Sequence, residues 1–199
     1  MDEPTSPLTD EQTDEQIRAA TVGEPPISGA PIVLVDYDPE WPELFRREEG
    51  RIAAALGERA LRIDHVGSTA VPGLAAKPTV DILLVVADSG DEDSYLPALE
   101  AAGYVLQIRE PNWHEHRVFK GPDTNINLHV FSGGSSEIER MLSFRDRLRT
   151  NDADRALYER TKRELARQEW KYVQNYADAK ASVVEEILGR RRGGAGPGM

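Results

Sequence analysis

The sequence predicts an α/β (α+β) fold: a mixed β-sheet with helices, followed by a helical C-terminal part. Three observations carry that expectation. Short β-rich runs alternate with segments of helical period across residues 32–131. The run 79–86 is apolar on both faces except at Asp81, as a central strand requires. From Ser136 to Leu188 the chain reads as helix.

The folded part is expected to begin near Pro31, and residues 32–36 (IVLVD) are a short β-rich run. Asp38 and Pro39 then offer an N-cap with proline in the first turn, and Glu40 and Glu43 suit the positive end of a helix. Trp41, Leu44, Phe45, Ile52, Ala55 and Leu56 keep a helical period until Gly57 ends it. A strand over 60–66 enters a loop containing Gly67, Pro72, Gly73 and Pro78, and the strand 79–86 follows. Residues 96–102 form a helix ended by Gly103, and 104–108 a strand. Residues 116–119 and 125–131 form a hairpin around Gly121, Pro122 and Asp123. Three helices are then expected: 136–149, capped by Ser136, a second capped by Asn151 or Asp152 and carrying Tyr158, Leu165 and Trp170, and a third over 172–188. Residues 189–199 (GRRRGGAGPGM) read as a flexible tail.

The 199 residues hold 24 Lys and Arg against 35 Asp and Glu, no Cys, and 39% hydrophobic residues. The first thirty contain seven acids, one base and four prolines, with almost nothing large to bury. Such a stretch cannot offset its ordering entropy, so residues 1–30 read as a disordered acidic tail. One domain over 31–188 remains, with an α/β part (31–134) and a helical part (135–188). Without Cys there is no disulfide scaffold and no thiolate metal site, which suits a reducing compartment. No run of 18 apolar residues exists, and the start MDEPTSPLTDEQ is acidic where a signal peptide needs a basic end. A cytoplasmic protein with no membrane partner is expected. The net charge of −11 opposes general nucleic-acid binding. That charge is uneven, at −6 over 1–30, −8 over 31–135 and +3 over 136–199. A polyanionic partner belongs in the C-terminal third.

Chemistry concentrates in residues 65–86, HVGSTAVPGLAAKPTVDILLVV. Gly67 and Ser68 come directly off a strand, and after twelve intervening residues Asp81 stands alone among Val, Ile, Leu and Thr. A carboxylate there is costly unless paired, metal-bound or at an open strand end. Loop amides and a hydroxyl can hold a phosphate oxygen, and an opposing carboxylate can hold Mg2+. Together they suit phosphoryl or nucleotidyl transfer.

That spacing, Gly-Ser followed by an Asp on an apolar strand, resembles the signature of the nucleotidyltransferase superfamily, with its polymerase-β-like fold. More narrowly, HVGSTAVPGLAAKPTVDILL resembles the GrpB family of predicted nucleotidyltransferases, which also occurs fused behind dephospho-CoA kinase. HRVFKG at 116–121, NLHVF at 127–131 and FRD at 144–146 through YADAK at 176–180 fit the same picture. The resemblance implies a nucleotidyltransferase-like fold. It also implies Gly67 and Ser68 on phosphate, Asp81 on Mg2+, and Arg145, Tyr176 and Lys180 facing the loop. The ligand so implied is a nucleotide or another phosphorylated small molecule. Lys77, in the loop just before the Asp81 strand, suits a phosphate contact or a solvated lysine.

The chain departs from the superfamily pattern at Leu83, where a second carboxylate sharing the metal is usual. Residues 125–131 offer Asn127 and His129 on one face but no acid. His129 reads equally as a ligand or as a satisfied core histidine, while His65 at a strand end reads as structural. His114 and His116 flank Glu115 without helical or strand geometry for one metal. Arg145, Lys162, Tyr176 and Lys180 also fit an ordinary solvated helix face. Two functions compete: a nucleotidyltransferase or its non-catalytic relic that binds a nucleoside triphosphate, and an accessory protein that assists a partner. Leu83 favours the second, and the charge retained at Asp81 favours the first.

Overall fold

The computed structural model describes residues 10–25 and 31–190. Five strands form one mixed sheet: β1 (Arg62–Val66), β2 (Val80–Val86), β3 (Val105–Glu110), β4 (His116–Lys120) and β5 (Ile126–Ser132), in the order β1-β2-β5-β4-β3. Neighbours are antiparallel except β2 and β5, whose parallel register sets Asp81 beside Asn127 and Leu83 beside His129. Of the seven helices among the described residues, α1 is Asp10–Ala20, α2 Trp41–Leu56 and α3 Leu96–Ala101. Helices α4 (Ser136–Thr150), α5 (Asp152–Leu165), α6 (Val173–Asp178) and α7 (Ala181–Arg190) form the C-terminal part.

Strand alternation divides the sheet into two unlike faces. One face carries Ile82, Leu84, Phe119, Ile126, Leu128 and Val130, buried under Trp41, Ile52 and Leu56 of α2 and Leu99 of α3. Each such side chain contributes about 1.5–3 kcal/mol on burial. The opposite face is apolar only at one end, where Val66, Leu83, Val85 and Phe131 meet Ile138 and Leu142 of α4. Beyond them the same rows carry Asp81, Asn127 and His129. The loop after β1 is clamped between these layers, since Val71 and Leu74 pack with Leu148, Tyr158, Val183 and Ile187. The helical part therefore closes over the loop that holds Gly67 and Ser68.

Four local expectations need correction. Within the expected acidic tail, residues 10–20 are helical with Ile17 buried, and Thr21 and Val22 pair with the open edge of β3. Backbone pairing on a sheet edge needs no large side chains, so composition does not reveal it. Residues 32–36 form no strand, only a bridge in which Val35 and Ala76 exchange two hydrogen bonds of 2.9 Å. Ser135, not Ser136, caps α4, and Asn151 caps α5. The expected helix over 172–188 is broken at Ala179 and Lys180, between α6 and α7. Gly189 and Arg190 complete α7, while the rest of the expected C-terminal tail lies outside the described residues.

Candidate functional site

Gly67 leaves β1 with φ +68, and a Cβ at this position would collide with the Asp81 carboxylate. Only glycine meets both demands, left-handed backbone and close approach. A 3-10 turn, Ser68–Ala70, follows at once. Lys162 of α5 reaches under it, its Nζ donating to Ser68 Oγ at 3.0 Å and to the Ala75 carbonyl at 2.5 Å. Tyr158 of the same helix packs against Val71 and Leu74, which follow the turn. One helix thus fixes the turn from below.

Asp81 sits across from this turn, its side chain 28% exposed. Its Oδ1 accepts from Asn127 Nδ2 at 2.8 Å and lies 3.6 Å from His129 Nε2. Lys120 Nζ donates to Asn127 Oδ1, tying a second cation to the same chain of contacts. Burial alone would raise the Asp81 carboxyl. The His129 and Asn127 contacts and the charge of Lys180 outweigh that and hold it below the usual carboxylate range.

Four ammonium groups surround this carboxylate. Lys180 lies at the break between α6 and α7, 4.6 Å from the Tyr176 ring centre, and Lys77 precedes β2. Burial lowers Lys77, Lys120 and Lys180 from their ordinary value, although Asp81 pulls each the other way. Lys162 falls to about 7, through burial and the charge of Lys180. Among the described residues none of the four has an ion pair with a carboxylate within 4 Å, and Asp81 is the negative charge they share. The chain contains only five lysines among its 24 basic residues, so four-fifths of them are here.

Gly67, Ser68, Lys77, Asp81, His129, Tyr176 and Lys180 therefore lie around one cleft. Tyr176 is buried, with a hydroxyl that has no hydrogen-bond partner among the described residues. Arg145 does not join them. Its Nη1 donates to the His65 carbonyl at 3.0 Å and to Asp64 at 3.3 Å, bracing β1, and it lines a separate groove of about 520 Å³ on α4. His65 is structural: it is buried, bonds Thr69 at 3.0 Å and stacks on Phe45. Sequence reasoning missed Lys120 and treated Lys162 as a solvated helix residue. The scarcity of lysine beside plentiful arginine was the available signal.

A resident Mg2+ does not fit these donors. Leu83 occupies the place on β2 where a second carboxylate would face the metal, and the nearby groups are mostly ammonium. Among the described residues no group of three His, Asp or Glu could hold a metal ion. No helix among them is long and apolar enough to cross a membrane.

Comparison with known proteins gives the arrangement a family. The GrpB protein family matches residues 31–190, which contain the whole cleft. The chain belongs to the GrpB family. A UPF0157 protein of Halalkalibacterium halodurans is 62% identical over 179 residues, covering 90% of this chain and 92% of that protein. One from Streptomyces coelicolor is 46% identical over 159 residues, covering 80% and 83%. The crystal structure of the conserved protein GrpB from Enterococcus faecalis superposes with a TM-score of 0.66 at 32% identity, covering 80% of this chain and 99% of that one. A dephospho-CoA kinase of Mycolicibacterium paratuberculosis shares 48% identity over 81 residues, or 39% of this chain and 20% of that protein. The α1 segment lies outside the GrpB match, which spans residues 31–190.

Proposed function

We propose that this GrpB protein binds a phosphorylated small molecule in the cleft between the Gly67–Ser68 turn, Asp81 and the α5–α7 face. The family resemblance makes a nucleoside triphosphate the first ligand to test, with nucleotidyl transfer to an acceptor as the associated reaction. The observation that carries the reading is the lysine cluster. Four half-desolvated ammoniums sharing one carboxylate are an arrangement that folding alone does not favour. A polyphosphate supplies the missing negative charge, and the turn supplies a hydroxyl for one of its oxygens. Transfer would demand metal carboxylates that Leu83 does not provide, so any Mg2+ would arrive with the polyphosphate, and catalysis is reduced or lost.

The test is calorimetric titration of ATP, the other nucleoside triphosphates and inorganic tripolyphosphate, with and without Mg2+. Lys180→Ala should weaken binding by about 1.5–3 kcal/mol, roughly tenfold to a hundredfold in Kd. Equal affinities for wild type and variant, or no binding to either, would sink the reading. A second reading rests on the segment shared with dephospho-CoA kinase: an accessory protein that stabilises such a kinase. It requires the kinase's melting temperature to rise on mixing, with no response to polyphosphate.

A further inference from the structure

On the polar face of the sheet, a row of side chains runs from the β3 edge to the cleft. Glu110 Oε2 lies 2.6 Å from His116 Nδ1, and His116 Nε2 lies 3.1 Å from His129 Nδ1. His129 Nε2 in turn lies 3.6 Å from Asp81 Oδ1. The two imidazoles are within 6° of parallel, and His116 is stacked on Phe131 with Trp113 against its edge. That packing holds the rings in this orientation.

We infer that Glu110 and His116 are positioning residues that keep His129 as an imidazolium against Asp81. The reason is the count of donors and acceptors. A neutral imidazole has one N–H and one lone pair. Glu110 lies at the sheet edge, and its carboxylate can only accept. His116 must then carry its hydrogen on Nδ1 and accept through Nε2. His129 must donate from Nδ1. Were His129 neutral, its Nε2 lone pair would face the Asp81 carboxylate; a proton on Nε2 turns that repulsion into an ion pair. Burial assigns the neutral ring to His116, pushing its imidazolium down to about 4.

A second arrangement contains the same protons. His129 passes its Nδ1 hydrogen to His116 Nε2, and His116 passes its own Nδ1 hydrogen to Glu110. The row then holds neutral Glu110, two neutral rings protonated at Nε2, and the Asp81 carboxylate. No proton enters or leaves, and the cleft loses one positive charge to the sheet edge. Arg117 on β4 acts on His116, Asp178 of α6 acts on Glu110, and Lys77, Lys120 and Lys180 act on Asp81. These charges, together with that of Asp81, decide which arrangement rests lowest, and an arriving anion favours the cationic one. That last step rests on reading the cleft as an anion site, whereas the resting pattern of protons does not.

Imidazole 15N shifts of the ligand-free chain at neutral pH read the pattern directly. The expected result is His116 neutral with its hydrogen on Nδ1 and His129 doubly protonated. Glu110→Gln can donate from its amide, so it should reverse the row, moving the His116 hydrogen to Nε2 and leaving His129 neutral. It does so although, of the two rings, residue 110 touches only His116. A neutral His129 in the wild type, or a folded Glu110→Gln variant in which the His116 hydrogen moves to Nε2 while the His129 signals stay unmoved, overturns the inference. If that variant does not fold, the wild-type tautomers alone decide. A separate titration with tripolyphosphate distinguishes the two claims, because failure to bind removes the ligand and leaves the row standing.

Discussion

Lys162 shows how one residue can belong to folding and to binding with opposite signs. It is buried, donates to Ser68 and Ala75, and is pushed down to about 7. Because the folded value lies below the ordinary 10.5, the unfolded chain holds this proton more tightly across that window. Its contribution to stability therefore rises as pH climbs from about 7 towards 10.5 and is complete above it. Anion binding runs the other way, since a neutral amine attracts no phosphate. Tripolyphosphate affinity should fall steadily above neutral pH, and Lys162→Met should flatten that dependence; calorimetry over a pH series checks it, and an already flat wild type would refute it. Asp81, Gly67 and Ser68 were legible in the sequence because their spacing along adjacent elements is local. Lys120 and Lys162 were not, because they reach the cleft from β4 and α5 only once the sheet order and the helical cap are in place.

At the scale of elements, β2 and β5 were recoverable from alternation and apolar runs, and their parallel register sets Asp81 and His129 on one face. Two elements escaped that logic. The α6–α7 break carries no Pro or Gly, and tertiary contact rather than local propensity positions Lys180 there. The α1 strap hides in an acidic sequence because its hold on β3 is the Thr21–Ile108 bridge, the Val22 to Gln107 hydrogen bond and one buried side chain, Ile17. Ile17→Asp should cost about 1–3 kcal/mol, no more than one apolar burial. The β3 amides should exchange faster with solvent deuterium. Tripolyphosphate affinity should not change, since the strap lies outside the family's cleft. Denaturant midpoints and exchange rates measure this, and unaltered β3 exchange would mean that the strap does not protect the edge.

For the whole molecule, the shifted groups make stability lean to the alkaline side. Burial pushes both His65 and His116 down to about 4 from 6.5, so the folded state resists protons that the unfolded chain accepts. Both contributions are complete above 6.5 and are lost as pH falls from 6.5 to about 4, on the order of 2–3 kcal/mol each. Glu92 adds a lower stage. Held between Arg109 and Arg117, it falls from 4.5 to about 2, and its contribution goes as pH drops through that range. Lys162 supplies the rise on the alkaline side. Urea midpoints should therefore climb from pH 4 to 6.5 and continue upward more gently above 7. His65→Phe should keep the stacking on Phe45 while orphaning Thr69, so its absolute stability says little. Its slope between pH 4 and 6.5 is the informative quantity, and it should be about half that of the wild type, because His116 still titrates. A wild-type profile flat across that interval would show that neither ring is protected from protons. The two-stage account of acid unfolding would then fail, whatever the cleft binds.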